Sequence, residues 1–390
     1  MITLSTADNA LKEVYLGVLA NQLNTTINPL LSKINQTTSD VWGKEIRKVA
    51  PYGINGGIGA GTEDGNLPNA SATNYAQFVL PLKNLYGKIE ISDKAIRASE
   101  SSTGAFVNLL NSEMENLLKS SAFNFGRMLY GDGSGTLATA LGNTNEYIEV
   151  DTTANLIEGM VFDIISTTNV VAYPQVKIVS IDRANKRVYP VKMPCAEDML
   201  YESNFKLVVQ GSFNNEITGL GAIFKDTGSL YGLDRATNKW LVPYMKDNSN
   251  ADITENAMQH AIDELDEYAN SKVDFIVCSA GVKRNYQNYL ASYRSNIDVM
   301  NLEGGFKAIS YNGIPVVSDR FAPANTMFML DTKDFNMHQL CDWKWLESED
   351  GRVIKQTLNK PTYQATLVKY ADLICNRPAG QAKISNIKES

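Results

Sequence analysis

The side chains that most often perform catalysis or bind metals are few in this chain. Only two of its 390 residues are histidines, His260 and His338, and neither belongs to an HExxH or HxH pattern, which would bring two ligands to one metal. His338 precedes Cys341 and Asp342, a set that could in principle supply a nucleophile and its base. A packed or solvated histidine is the commoner explanation of such an isolated group. The sequence therefore predicts no catalytic residue and no metal ligand.

Two glycine-rich runs could in principle surround a phosphate group. The run GGIGAG at 56–61 does not fit the GxGxxG register of a dinucleotide-binding turn. The run GDGSG at 131–135 lacks both the GK[ST] ending of a P-loop and the GxSxG pattern of a hydrolase. We therefore expect no cofactor, and the sequence does not indicate an enzyme.

Composition restricts the class of protein. With 44% hydrophobic and 20% charged residues, the chain has the composition of a soluble globular protein, and its length suits two or three domains. No run approaches about 18 apolar residues, so we expect no membrane-spanning helix and no membrane partner. The N-terminus has no secretion signal. Four separated cysteines favour buried thiols in a reducing compartment over disulfides, namely Cys195, Cys278, Cys341 and Cys375.

The element around which the chain is organised is a long amphipathic segment at 101–130. Apolar residues recur there at helical spacing, from Phe106 to Leu129, without an intervening proline. Thr103 is suited to begin the helix and Gly131 to follow its end. The pattern predicts a helix on the order of 40 Å long, far longer than the average.

Extended chain is predicted immediately before this helix. Apolar and polar residues alternate with a period of two over 77–82 and 85–91, which is typical of strands. The preceding segment 53–73 is rich in glycine and polar residues and cannot build a core. The order is therefore a projecting loop, a strand and a long helix.

Two further regions differ in pattern. Short β-type runs separated by turns predict an all-β insertion over 143–212. Alternatively, this segment could form part of the sheet of the main domain. From 249 onward, helical and strand patterns alternate, which indicates an α/β layered domain. There, Asp252 and Glu255 predict a capping box at the start of a helix.

These motifs resemble the major capsid protein of tailed bacteriophages with the HK97-type fold. The resemblance is most specific over 44–135 and continues over 215–379. It is carried by the ribbon at 52–73, the strand text LKNLYGKIEISDKAI at 82–96, the helix at 103–130 with its GDGSG ending, and NGIPVVSDR at 312–320.

The resemblance implies an α+β chain with an HK97-like capsid fold. It implies an N-terminal arm at 1–49 and an extended β-hairpin loop at 50–80. The peripheral domain, with a spine helix and a β-sheet, is expected in three pieces, at 81–142, at 213–248 and, as a return after the axial domain, at 343–390. Between these pieces lie the β-rich insertion at 143–212 and an axial α/β domain at 249–342. The arm could reach a neighbouring subunit, or it could pack on its own domain.

The implied function is that of a structural subunit of an icosahedral phage head, located in the virion and assembled in the cytoplasm of the bacterial host. Its implied partners are other copies of itself in pentamers and hexamers, a portal protein, a possible decoration protein and enclosed dsDNA. With 36 basic and 43 acidic residues and a net charge of −7, the sequence shows no clustered basic surface, so we expect no sequence-specific grip on DNA. A fused scaffold does not fit before residue 50, so a separate scaffolding protein is expected.

Some members of this family form an isopeptide bond from a lysine near the loop tip. Here no lysine occurs between Lys48 and Lys83, so we expect no such cross-link. The candidate contact residues between subunits, each of which could instead be solvated surface, are Glu63, Asp64, Asn66, Asn69, Lys88, Arg97 and Glu100.

Two alternatives remain from the sequence. An encapsulin-like nanocompartment would have the same fold but enclose an enzyme. A soluble enzyme or carbohydrate-binding protein would carry its site in the β-rich insertion and stay monomeric.

Overall fold

The structure is a computed structural model that describes residues 28–94, 103–191, 203–292, 299–301, 307–347 and 351–390. Most of the predicted N-terminal arm, 1–27, lies outside the described residues. The rest of that arm packs on its own subunit, because Leu30, Leu31 and Ile34 are buried in the main hydrophobic core.

Strands are the commonest elements in the part of the chain that the structure describes. The first eleven are β1 Asn35–Thr37, β2 Val41–Trp42, β3 Glu45–Tyr52, β4 Asn74–Pro81, β5 Lys83–Ser92, β6 Thr136–Asn143, β7 Ile148–Val150, β8 Val161–Ile165, β9 Val171–Asp182, β10 Arg187–Pro190 and β11 Lys206–Val209. The remaining strands are β12 Ser229–Leu230, β13 Leu233–Asp234, β14 Tyr244–Ala251, β15 Phe275–Cys278, β16 Val299–Asn301, β17 Lys307–Tyr311, β18 Ile314–Ser318, β19 Met327–Leu330, β20 Phe335–Trp345, β21 Lys355–Gln356, β22 Thr362–Cys375 and β23 Ala382–Ile387.

The helices are fewer, as expected for an α+β protein. Within the described ranges, the α-helices are α1 Thr103–Met128, α2 Leu220–Ile223, α3 Glu255–Ala269 and α4 Ala280–Ser292. Helix α1 has 26 residues and is about 39 Å long at the usual rise. The α+β class predicted from the sequence is confirmed.

Helix α1 packs on one face of a five-stranded sheet. The sheet runs in the order β1, β20, β22 and β21, with β5 also paired to β22 over ten positions. Leu85 and Ile89 of β5 point into the core, and Gly87 lies between them. Gly87 leaves room for Leu117 of the helix, because a β-carbon at position 87 would lie 3.1 Å from the Leu117 side chain. The alternation of β5 therefore follows from burial of one face beneath the helix.

Strands β3 and β4 form an antiparallel hairpin whose register runs from Glu45 opposite Pro81 to Tyr52 opposite Asn74. Strand β2 extends the hairpin to three strands. Its inner face is buried through Phe78 and its neighbours, and Tyr52 stacks on Trp240 with ring centroids 4.9 Å apart. This packing fixes the base of the hairpin, from which the loop 53–73 projects.

Strands β6 to β11 close into a six-stranded barrel with its own hydrophobic core. The barrel begins at Thr136, before the predicted start of the insertion at residue 143. Strand β6 belongs to it because β6 pairs with β7 on one side and β11 on the other. The amide of Val209 donates to the carbonyl of Gly135, so the two chain ends of the barrel lie together.

A seven-stranded sheet in the order β14, β23, β19, β15, β18, β17 and β16 forms the next layer. Helices α3 and α4 cover one face, and the other face joins the main core. Phe321, in the loop between β18 and β19, lies against Gly126 of α1 and so connects this sheet to the long helix.

Two predicted boundaries differ from the sheet pairing. The prediction assigned all of 343–390 to the domain of the five-stranded sheet. Strand β23 instead lies in the seven-stranded sheet, because Ala382 and Ile384 are buried against β19 and the helices. Strand β20 begins at Phe335 and belongs to the five-stranded sheet through β22, although the prediction placed residues up to 342 in the other domain.

The cap of α3 also differs from the predicted capping box. Thr254 is the N-cap, and its hydroxyl accepts a hydrogen bond from the amide of Ala257 at 3.2 Å. Asp252 instead accepts from the side-chain amide of Asn285 at 2.7 Å, which ties α3 to α4. None of the described helices is long and apolar enough to cross a membrane.

Candidate functional site

The loop of the β3–β4 hairpin is a long exposed feature of the described residues. Every residue from 58 to 72 is solvent-exposed. The two arms of the loop stay together, since a β-carbon at Gly59 would lie 3.1 Å from Pro68 of the returning arm. The loop is therefore a narrow ribbon that continues the hairpin away from the body of the subunit.

A tight turn closes the tip of this ribbon. The amide of Gly65 donates to the carbonyl of Thr62 at 3.0 Å, as in a β-turn. Glu63 and Asp64 occupy the two central positions, so both carboxylates lie at the outermost point. Asn66 begins the returning arm.

Four of the predicted contact residues are thus brought together by the fold. Glu63, Asp64, Asn66 and Asn69 all lie on the exposed end of the ribbon. The carboxylates accept hydrogen bonds and the asparagine amides both donate and accept them, so the tip suits a polar surface on another molecule. Whether they contact another subunit stays a prediction.

The other predicted residues lie elsewhere. Lys88 is on the face of β5 opposite α1, its side chain is 51% exposed, and its ammonium lies 3.8 Å from the carboxylate of Glu90. A hydrogen bond from the Thr362 hydroxyl lowers the pKa of Glu90, and Lys88 contributes in the same direction. Arg97 and Glu100 lie outside the described residues.

Apolar side chains on the hairpin were not predicted as contacts. Leu67 near the tip is 89% exposed and Trp42 near the base is 68% exposed. The other large apolar side chains exposed along this hairpin are Val49, Ile54, Ile58, Tyr75 and Val79. The sequence of β3 and β4 could have indicated these exposed side chains. Apolar residues occupy alternate positions on both faces of these strands, whereas only one face is buried.

The histidines do not form a reactive cluster. His338 is buried, and its Nδ1 lies 2.9 Å from the carbonyl oxygen of Ser39, while burial lowers the pKa of its imidazole. Asp342 instead pairs with the buried ammonium of Lys369 at 2.6 Å. His260 is exposed beside Tyr244. Over the described ranges, no group of three His, Cys, Asp or Glu side chains could hold a metal ion.

Buried polar groups instead fasten the base of the barrel to α1. Arg127, near the end of the helix, pairs with the buried carboxylate of Glu216 and donates to Asn124 at 2.8 Å. Burial raises the pKa of Glu216. The next segment is held by Asp372, whose carboxylate accepts from the amide of Thr218 at 2.6 Å. These contacts are structural, and sequence reasoning did not identify them.

Comparisons with known proteins were informative only at the level of structure. No protein-family model matches the chain, and the search of curated proteins also found no match.

Several solved structures match nearly the full length of the chain. A chain of the cyanophage A-1(L) capsid asymmetric unit has a TM-score of 0.56 and 14% identity, with 95% of this chain and 92% of that chain covered. A procapsid of satellite phage P4 has a TM-score of 0.44 at 11% identity, covering 96% and 99%. An encapsulin complex from Synechococcus elongatus has a TM-score of 0.47 at 9% identity, covering 95% of both chains.

The match to the cyanophage capsid chain extends over 95% of this chain in one alignment. The resemblance to tailed-phage capsid proteins that the sequence motifs indicated is therefore confirmed for the fold. This chain has the fold of a phage capsid protein.

Proposed function

We propose that the protein is the structural subunit of an icosahedral bacteriophage head. In this proposal, copies assemble into pentamers and hexamers through repeated heterologous contacts that close into a shell around the dsDNA genome. The protein acts by shape and surface complementarity, not by catalysis. Its location is the virion capsid, after assembly in the host cytoplasm.

The observation that carries the proposal is the exposed ribbon on a body with a capsid fold. Residues 58–72 contact nothing in their own subunit that would bury them, yet they include Ile58 and Leu67. Exposed apolar side chains on a long projection are typical of a surface that another chain covers. A neighbouring copy is the partner that a shell supplies at every position.

The proposal also assigns a domain to each unit of the fold. We infer that the five-stranded sheet with α1 corresponds to the peripheral domain and the seven-stranded sheet with α3 and α4 to the axial domain. The barrel is then the insertion, and the hairpin is the extended loop. The two sheets share one hydrophobic core, which suits a rigid subunit that packs side by side with its copies.

The proposed shell is held without isopeptide bonds. The ribbon 53–73 contains no lysine, so its tip offers no amine for such a bond. Stability then depends on apolar and polar contacts between copies. A separate scaffolding protein, a portal protein and a possible decoration protein complete the proposed set of partners.

Electron microscopy with light scattering is the test. The full chain is expressed alone and together with the genes that neighbour its own in the source genome, and the purified material is imaged. We expect closed shells tens of nanometres across with rings of five and six subunits. A monodisperse monomer under every condition would contradict the proposal. Particles filled with an enzyme and free of DNA after infection would support the nanocompartment alternative.

A further inference from the structure

We propose that a cleft beside the base of the barrel binds a small neutral molecule that carries several hydroxyl groups and has the size of one sugar ring. This inference goes beyond the proposed function, which assigns no ligand to the subunit. The cleft has a volume of about 220 Å³. Pockets for drug-sized ligands begin at roughly 300 Å³, so the molecule that fits here is smaller.

Three elements form the walls of the cleft. Ser121 and Phe125, one turn apart, line it from α1, Tyr86 lines it from β5, and Glu216 lines it from the segment 209–216 that leaves the barrel. Trp343 of β20 completes the inner end. Phe125, Glu216 and Trp343 are buried, whereas Tyr86 is exposed. The cleft therefore has a buried inner end and a mouth at the protein surface.

Two side chains at the inner end each carry a buried polar atom that has no hydrogen-bond partner in the described chain. One atom is Oε2 of Glu216, a residue whose other carboxylate oxygen pairs with Arg127. The second atom is Nε1 of Trp343, a residue that is 6% exposed. The carboxylate oxygen accepts hydrogen bonds and the indole N–H donates them. Because unpaired buried polar atoms cost stability, the two atoms favour a ligand that offers both a donor and an acceptor.

The charges around the cleft select a neutral ligand. Among the described residues, Glu216 is the only acidic or basic side chain that lines the cleft, and Arg127 already neutralises it. A charged ligand would lose its hydration without meeting a free opposite charge, which is costly. A hydroxyl group both donates and accepts, so a ligand with several hydroxyl groups satisfies Glu216 and Trp343 together.

The rest of the lining suits a sugar ring. Phe125 and Trp343 lie edge to face with their ring centroids 6.0 Å apart, and Tyr86 adds a third aromatic ring at the mouth. Aromatic rings offer apolar surface to the C–H groups of a sugar. The side-chain amides of Asn84 and Asn215 supply further donors and acceptors at the exposed rim. A monosaccharide combines an apolar face with a polar edge, and the cleft offers a surface for each.

Equilibrium dialysis of the full chain tests the inference, whether the protein is present as subunits or as shells. The probes are radiolabelled D-glucose, D-galactose, D-mannose and N-acetyl-D-glucosamine. We expect at least one of these sugars to bind saturably, at one molecule per chain and with a dissociation constant below about 10 mM. D-Glucuronate should bind at least about tenfold more weakly than the best neutral sugar, because its carboxylate approaches that of Glu216.

A pair of tryptophan variants locates the site. Trp343→Phe removes the Nε1 donor but keeps an aromatic ring, so it should weaken binding about tenfold. Trp345→Phe is the matched control, because Nε1 of Trp345 is also buried without a partner in the described chain, but Trp345 does not line the cleft. Its affinity should equal that of the wild type. If Trp343→Phe does not fold, Asn84→Trp serves, since it places a bulky ring at an exposed position of the mouth and should abolish binding.

Thermal unfolding gives a second measurement. A ligand that binds the folded state raises the unfolding temperature by mass action. At about ten times the dissociation constant, the sugar should raise the midpoint of the wild type and of Trp345→Phe by at least about 1 °C more than that of Trp343→Phe. The general stabilisation by dissolved sugars is common to all three proteins and cancels.

Three results would overturn the inference. The first is the absence of saturable binding by all four neutral sugars. The second is binding that folded Trp343→Phe and folded Asn84→Trp leave unchanged, because the sugar would then occupy another place. The third is D-glucuronate binding as tightly as the best neutral sugar. None of these results would affect the capsid proposal, which depends on shell formation.

Discussion

At Gly126, α1 packs closely against Phe321, which lies in the loop between β18 and β19 of the seven-stranded sheet. A β-carbon there would lie 2.6 Å from the ring of Phe321. That ring is itself buried and packs edge-on against Phe123 at 5.1 Å between centroids, so it has little room to move. A glycine in mid-helix costs about 1 kcal/mol of helix propensity, and close packing is the reason for it here.

Gly126→Ala should therefore lower the free energy of unfolding by about 1–3 kcal/mol despite the better helix propensity of alanine. Chemical denaturation measures the change. Gly142→Ala is the matched control, because nothing lies within 4 Å of its β-carbon position. An unchanged or increased stability for Gly126→Ala would show that Phe321 shifts without cost.

Asp372 makes stability depend on pH in a predictable direction. Burial raises the pKa of its carboxyl from 3.8 to about 6. The folded state then binds this proton more readily than the unfolded state, so the ionised carboxylate costs stability above pH 6. Its cost falls as the pH drops from 6 toward 4.

Asp372→Asn removes that ionisation while keeping an oxygen for the amide of Thr218. Relative to wild type, the variant should gain about 2.5 kcal/mol between pH 4 and pH 8. Denaturant unfolding at both pH values gives the difference. His338, whose lowered pKa acts in the opposite direction, is present in both proteins and cancels. A difference that is flat with pH would refute the assignment.

At the scale of elements, the hairpin combines a packed base with a free ribbon. Phe78 is buried beneath the base, whereas residues 58–72 are exposed. The ribbon therefore contributes little to the stability of the isolated chain, and the proposed function gives it a role in contacts with other copies.

Replacing 56–71 with a short Asn-Gly turn should leave the thermal unfolding midpoint of the subunit within about 2 °C, since one kcal/mol corresponds to only a few degrees in a chain of this size. Shell formation, measured by sedimentation, should be abolished. A variant whose ribbon has the same length but consists of Gly and Ser controls for the length of the projection. This variant should also fail to assemble. Normal shells from the shortened chain would contradict a role for the ribbon.

At the scale of the whole molecule, the barrel is a unit whose two chain ends meet in one short stem. Its core residues form their own cluster, and Met160 packs against both this cluster and the main core. The stem is held by backbone hydrogen bonds from Val209 to Gly135 and from Asn214 to Ser134, so the entry and exit points are adjacent. Such a unit can be removed without opening the rest of the fold.

Deleting 136–209 and joining the ends by a short glycine linker should leave a protein that unfolds cooperatively, with the buried pair of Arg127 and Glu216 intact. Circular dichroism and calorimetry check this. The separately expressed segment 135–210 should show its own cooperative transition. An unfolded deletion protein, together with an unfolded barrel, would mean that the two units stabilise each other.

Local patterns in the sequence determined the elements of this protein. The helical spacing of apolar residues predicted α1, and the period-two alternation predicted β4 and β5. Short β-type runs separated by turns predicted an all-β segment within 143–212. Each of these patterns is set by neighbours within a few residues, which is why one sequence suffices to identify it.

The tertiary structure decided which strands pair and which polar groups are buried. Strand β23 could have joined either sheet, and only its pairing with β14 and β19 assigned it. Lys369 has no sequence feature that distinguishes it from a surface lysine, yet it is fully buried against Asp342. Long-range pairing depends on the combined burial of distant segments, and that information is not contained in any local period.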